Sequence, residues 1–457
     1  MTESKTRLGV SAFAIVAFVL AFGSNGVRYI VGLPAFFVIA GLLTVASVVV
    51  FMRLKPARFR WYRLPAPIYW FLILAALSIF WSAYRLESVA GVAAQIATTV
   101  VAVVLAFVLS WHELLRTLAS AMRWLLGISY LFELIVAIFV REPLMTWWME
   151  QPEGKTHKIL FWSRDLLFSG GPIQGIVGSS VLFGFLALLA LIQFGVQLRA
   201  GLVRPVSGWC WVAVAALTLV LTRSATIWVA LLAVLVVLAF ALWGRRLGQE
   251  RRARVYWVAG GLVAVALAAV LFARDFVFGL LGKSGDLTGR GETWAKVYEL
   301  VEQRPWFGWG WVSYWPTWVE PFKGLDTKAG IAVMSAHNAW LDVWLQLGII
   351  GVLVFAPIVF LTLQRVWFRA VDQPRRGPGP ALPFATSALW PLLVFTALMV
   401  QSLTESRILI ESGWLLLIIL AVKTRFDFEL PAQDTEPTKR PWREVPIPRD
   451  TRGRAPK

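Results

Sequence analysis

The sequence places a lone imidazole directly before a patterned run: His337-Asn338, nine residues, Gly348, two residues, Gly351. Imidazole changes charge near neutral pH, so at this position it can take a proton from an attacking hydroxyl. The pair closes the longest polar loop of the chain and is followed at once by an apolar stretch. Two readings stand for it: a general base, or an ordinary junction in which Asn338 caps the next helix. Gly348 and Gly351 lack side chains that would keep that helix from packing closely on a neighbour. The chain has 3 histidines. His112 falls in a short turn and His157 in an earlier loop, and neither has this setting.

Phosphate chemistry has its own candidates. In the same loop, Asp286-Leu287-Thr288-Gly289-Arg290-Gly291-Glu292-Thr293-Trp294 leads into Trp294, Val297, Tyr298 and Val301 at helical spacing. This predicts a short amphipathic helix, stopped before Pro305, with Arg290 near its N-terminus. A helix N-terminus beside a guanidinium suits a phosphate, although a solvated arginine in a glycine turn has the same spelling. Arg223 stands between two apolar runs, as a diphosphate ligand or as a side chain snorkelling at a helix end. Trp306 opens the run Trp306-Phe307-Gly308-Trp309-Gly310-Trp311, which can anchor at a membrane interface or stack on sugar rings. Glu405, in Thr404-Glu405-Ser406-Arg407, is an alternative base to His337. Lys158 and Arg164 are further candidates for phosphates of an acceptor.

Several chemistries have no motif here. No glycine loop has the Gly-x-x-x-x-Gly-Lys-Ser/Thr spacing that cradles a phosphate, so no bound nucleotide is expected. No tight group of carboxylates with His or Cys predicts a metal, and no Gly-x-Ser-x-Gly elbow is present. The expectation is an activity without metal or cofactor.

The elements that must position these residues are membrane helices. Hydrophobic residues make up 58% of 457 and charged residues 15%. A water-soluble fold cannot bury that much apolar surface, so lipid must cover much of it. Twelve apolar runs near 8–22, 30–51, 66–82, 88–110, 119–140, 172–194, 207–222, 225–243, 255–273, 339–363, 383–401 and 407–422 predict twelve transmembrane helices. The first has no small-residue cleavage site and reads as a retained helix. The net charge of +18 would suggest nucleic acid, but its placement argues otherwise. Arg53, Lys55, Arg58, Arg60 and Arg63 crowd one loop, Arg245, Arg246, Arg251, Arg252 and Arg254 another, and Arg365, Arg369, Arg375 and Arg376 a third. With a cytoplasmic N-terminus, the basic excess falls on the cytoplasmic side, where it sets orientation and meets anionic lipid.

Four parts follow: helices 1–9 over 1–273 with an outer loop at 141–171; a large outer loop at 274–338; helices 10–12 over 339–422; and a Pro-rich, charged cytoplasmic tail at 423–457 that reads as disordered. Both termini are cytoplasmic in this reading, and the chemistry faces outward. Cys210, the single cysteine, reads as a small buried hydrophobe.

The His-Asn-(nine)-Gly-x-x-Gly string at 337–351, the Thr288-Gly289-Arg290…Trp294 string with Arg304-Pro305-Trp306 behind it, and Thr222-Arg223-Ser224 together resemble the O-antigen ligase/polymerase family. The resemblance implies an all-α integral membrane fold with a periplasmic cap of short amphipathic helices, similar to lipid-dependent GT-C-type glycosyltransferases. It implies a multi-pass protein of the bacterial inner membrane whose site faces the periplasm. The implied donor is undecaprenyl-diphosphate-linked O-antigen, the acceptor is the lipid A core, and the product is lipopolysaccharide, by inversion and without metal. In that role Arg290 and Arg223 hold the diphosphate, His337 is the base, and Asn338, Gly348 and Gly351 support it. An O-antigen polymerase or a protein O-oligosaccharyltransferase would use the same donor. A transporter of lipid-linked sugar would share the topology without the transfer.

Overall fold

The computed structural model describes residues 2–56, 59–146, 160–272, 290–328, 331–373 and 383–429. His157, Lys158 and the tail from 430 onward lie outside the described residues. Each of the twelve apolar runs forms a helix: α1 (Thr2–Phe22), α2 (Ser24–Leu54), α3 (Ala66–Leu77), α4 (Arg85–Val108), α5 (Trp111–Ile135), α6 (Ser180–Arg199), α7 (Pro205–Thr222), α8 (Ala225–Leu247), α9 (Ala253–Phe272), α11 (Ala339–Val371), α12 (Trp390–Ser402) and α13 (Glu411–Glu429). A further helix, α10 (Arg290–Gln303), is the predicted amphipathic one. Among the described residues, 8 helices are long and apolar enough to cross a membrane, and shorter apolar helices accompany them. The chain is an all-α integral membrane protein.

Contacts between helix ends establish the packing. Arg7 at the start of α1 pairs with Glu113 at the start of α5 (2.6 Å). Glu113 also closes a capping box with Ser110, which accounts for the clean start of α5. Arg245 at the end of α8 donates to Ala370 O at the end of α11 (2.6 Å), and Lys423 near the end of α13 donates to Leu109 O (2.6 Å) just past α4. Lys423 and Arg369 both lie over the Trp111 ring, at 5.2 and 4.4 Å. The basic residues therefore gather at one end of the bundle. Arg223, Arg290, His337 and Glu405 fall at the helix ends opposite.

One predicted run is only partly helical. Residues 172–194 read as a single apolar span, but α6 starts at Ser180. Pro172 and the left-handed Gly175 (φ 56°) and Gly178 (φ 70°) interrupt it. The buried Glu133 carboxylate of α5 pins this loop, accepting from the N–H groups of Gln174 (2.9 Å) and Gly175 (2.7 Å) and from Ser163 Oγ (2.8 Å). Cys210 is also corrected: it is exposed on α7, on a face that lipid would cover.

Gly348 does more than permit close packing. At φ 67° and ψ −171° it breaks α11 into two segments. The partner that comes close is the backbone of the outer loop, not another helix. Ile349 N donates to Pro305 O (2.8 Å), Trp309 N to Leu345 O (3.0 Å) and Gly310 N to Gln346 O (2.8 Å). The loop thus takes up hydrogen-bonding groups that the break frees, which apolar surroundings would otherwise leave at a cost of several kcal/mol each. A Cβ on Gly348 would lie 2.1 Å from Trp306 O. Gly348→Ala combines this clash with a left-handed backbone, so it is expected to destabilise the protein by at least about 2 kcal/mol. Tryptophan-fluorescence melting checks this; an unchanged transition would mean the break is not tightly packed.

Candidate active site

The site is assembled around two carboxylates. Asp342, in the first turn of α11, accepts from Ala336 N (3.1 Å), Trp315 Nε1 (2.8 Å) and Ser406 Oγ. It thereby fastens the residue before His337 and the residue after Glu405 to one point. Asn338 caps α11, its Oδ1 accepting from Trp340 N (3.0 Å) and Leu341 N (3.2 Å). Its Nδ2 reaches Leu403 O at 3.4 Å, across to the Glu405 segment. Both alternatives for the 337–338 pair are therefore compatible: the junction is capped, and the imidazole is left for other work.

α10 brings Arg290. Its Thr293, Val297 and Val301 face is buried in a small core with Tyr84, Trp315 and Phe322. Thr293 Oγ1 donates to Asp326 Oδ2 (2.5 Å), Lys296 pairs with Asp326 Oδ1 (2.8 Å), and Trp294 Nε1 donates to Ala336 O (2.8 Å). The Trp294 bond ties α10 to the residue preceding His337. Arg290, the first residue of α10, then falls beside it.

Glu405 joins the two. Its Oε2 lies 2.9 Å from His337 Nδ1, and its Oε1 lies 2.9 Å from Arg290 Nη2. Burial by itself would push the Glu405 carboxyl up. The His337 hydrogen bond and the charges of His337, Arg290 and Arg407 outweigh burial and hold it below the ordinary carboxylate range. An ionised carboxylate only accepts, so Nδ1 of a neutral His337 must carry the proton and Nε2 must carry the lone pair. The His337 side chain is 32% exposed and that of Glu405 15%. The imidazole is thus the more reachable of the two. Because Glu405 titrates lower when folded, it stabilises the protein at neutral pH, and this contribution is lost as pH falls through its lowered value. Glu405→Gln is expected to melt earlier than wild type at neutral pH, with the gap closing in acid. A gap that stays constant with pH would contradict this.

Arg223 caps the end of α7 at φ 47°, exposed, with its guanidinium against Gly170. Among the described residues, no hydrogen bond or ion pair joins it to His337, Glu405 or Arg290. Arg164 is half-buried in the same loop as Gly170. The tryptophan run divides: Trp311 and Trp315 are fully buried, whereas Trp306 is 66% exposed and Trp318 64%. Trp306 contributes its backbone carbonyl to the Gly348 break and its ring to the surface. Gly351 sits just below the break, where a Cβ would meet Leu347 at 2.3 Å.

A second charged group escaped the sequence reading. Arg28 of α2 pairs with Glu411 (2.9 Å), which also holds Arg407 and Ser24. Both guanidiniums lie over the Tyr314 ring, at 5.5 and 5.8 Å. Arg28 and Glu411 are 383 residues apart, so no local spacing connects them. The available signal was an arginine and an acid at the edges of apolar runs, where a charge needs a partner. His337, Arg223 and Glu411 all take left-handed backbone (φ 50°, 47° and 48°). Side chains rarely adopt it, and such strain gathers at functional sites.

Residues 210–356 match the family model described as O-antigen ligase. The match supports assigning the chain to the O-antigen ligase family. No curated protein matches the chain. The matched span runs from within α7 to within α11 and carries Arg223, Arg290, His337, Asn338, Gly348 and Gly351. Glu405, Arg407, Glu411 and Arg28 lie outside it, so their place in an O-antigen ligase-family site rests on geometry alone. The match supports a membrane enzyme of the ligase and polymerase type.

Proposed function

We propose that this protein is an O-antigen ligase, moving O-polysaccharide from undecaprenyl diphosphate to the lipid A core at the periplasmic face of the bacterial inner membrane. The observation that carries the reading is the single carboxylate, Glu405, shared between an imidazole and a guanidinium at 2.9 Å each. It supports a base and a phosphate ligand within reach of one substrate.

In this mechanism His337 Nε2 takes the proton of an acceptor hydroxyl. The hydroxyl oxygen attacks the anomeric carbon from the face opposite the diphosphate, and the bond from that carbon to the phosphate oxygen breaks. Negative charge grows on the leaving diphosphate, and Arg290 stabilises it there, with Arg223 as the second guanidinium. A single displacement inverts the anomeric centre and needs no covalent sugar–enzyme intermediate. Glu405 is a positioning residue: it holds the His337 tautomer and stabilises the imidazolium that forms.

The test is transfer by purified protein from lipid-linked O-polysaccharide to lipid A core, with EDTA and without nucleotide. Laddered lipopolysaccharide is the expected product. Sugar joined only to other lipid-linked sugar would replace the ligase with a polymerase, and sugar joined to a protein serine or threonine would replace it with a protein O-oligosaccharyltransferase.

A further inference from the structure

A cavity is lined in part by the 401–412 segment, which also carries Glu405. Ser24 and Asn25 of the α1–α2 corner, Gln401 at the end of α12, Arg407 and Ser412 form its polar wall. Apolar residues of α6, including Leu182 and Phe185, form the facing wall. Its volume of about 20 Å³ is room for one or two oxygen-sized groups and too little for a whole phosphate. Gln401 is 2% exposed, lines this cavity, and among the described residues has no hydrogen-bond partner for its side-chain Oε1 or Nε2. A buried amide left unpaired costs about 1–3 kcal/mol, so its presence calls for a guest.

The charge nearby selects that guest. Arg28 and Arg407 share one carboxylate, Glu411. Tyr314 between them adds no negative charge, because burial pushes its hydroxyl up. One positive charge is left over, next to an amide, a hydroxyl and an apolar wall. That combination fits an oxyanion carried on an apolar tail.

Short contacts link the elements that wall the cavity to residues next to both arginines singled out by sequence. The first turns of α6 line it through Leu182 and Phe185, while Gly184 on the same helix packs against Thr222, the neighbour of Arg223. On the other flank, Glu405 N donates to Gln401 O (2.7 Å), two residues before Arg407.

We infer that Gln401 and Arg407 form a phosphoryl-oxygen subsite for a lipid phosphate. The inference rests on the proposed function and deepens it, since it names the residues that would receive one oxygen of the lipid phosphate. Two lipids carry that chemistry: the polyprenyl diphosphate donor and the phosphorylated lipid A acceptor.

The experiment measures binding of undecaprenyl diphosphate and of lipid A bisphosphate to the full-length protein in neutral-lipid nanodiscs, with uncharged undecaprenol as control. Gln401→Met keeps the shape, removes both unpaired amide atoms and leaves every ion pair in place. The expected result is a melting temperature equal to or above wild type, with about tenfold weaker binding of one lipid, which identifies the source. Undecaprenol binding should not change. Arg407→Lys, which keeps the charge but loses the planar fork, should weaken the same lipid. If Gln401→Met leaves both affinities within twofold while Arg290→Ala weakens undecaprenyl diphosphate, the amide holds only water: the subsite is overturned and the ligase reading stands. If wild type binds neither lipid above the undecaprenol control, the ligase reading itself fails and the subsite falls with it.

Discussion

His337→Gln is expected to lower the turnover of sugar transfer by about a hundred- to ten-thousandfold, the range for loss of a positioned general base. Glutamine keeps polarity and comparable size but cannot titrate near neutral pH. The effect should appear in kcat rather than KM, because the proton moves only as the acceptor oxygen attacks. Folding should survive. Asn338 still caps α11, and Asp342 still holds Ala336 and Ser406, so the backbone on both sides of residue 337 keeps its anchors. Glu405→Gln provides the companion measurement. An amide can donate to Nδ1 as well as accept from it, so the tautomer is no longer imposed, and turnover should fall although the base remains. A His337→Gln protein that transfers sugar within tenfold of wild type would sink the assignment. Activity that survived in His337→Gln but vanished in Glu405→Gln would make Glu405 the base.

Arg290→Ala is expected to reduce turnover about a hundredfold or more, the scale for removing one donor that meets developing charge. The Arg290 side chain is only 15% exposed and its guanidinium is already held at 2.9 Å from Glu405, so it is preorganised and little reorientation is needed as the phosphate charge grows. Arg290→Lys should fall between, because an ammonium keeps the charge without the two-pronged geometry. Removing Arg290 also takes away one of the charges that hold Glu405 ionised. Acid sensitivity of the melting curve should therefore change along with turnover. Near-full transfer by Arg290→Ala, measured with saturating donor, would exclude the clamp.

Local physics made much of this protein legible before any fold was known. Apolar runs of membrane length must become helices, because a backbone in lipid has to satisfy its own hydrogen bonds. All twelve formed. The cap at Asn338, the amphipathic helix carrying Arg290 and its end before Pro305 follow from short-range rules, and so does the gathering of basic residues at one end of the bundle. The glycine pattern at 348–351 announced a close approach but not its partner, since a left-handed break and a tight helix crossing are spelled alike. Residues 172–179 read as membrane-spanning because they are apolar. They are a loop because Pro172, Gly175 and Gly178 interrupt the helix and Glu133, far off in sequence, accepts from the N–H groups of Gln174 and Gly175. The pairing of Glu405 with both His337 and Arg290, the Asp342 anchor beneath it, and the Arg28–Glu411–Arg407 group beside Gln401 were decided only in three dimensions. Each joins groups from different helices or the loops between them, and a charge at the edge of an apolar run states only that it needs a partner. Which partner it finds depends on how the helices pack.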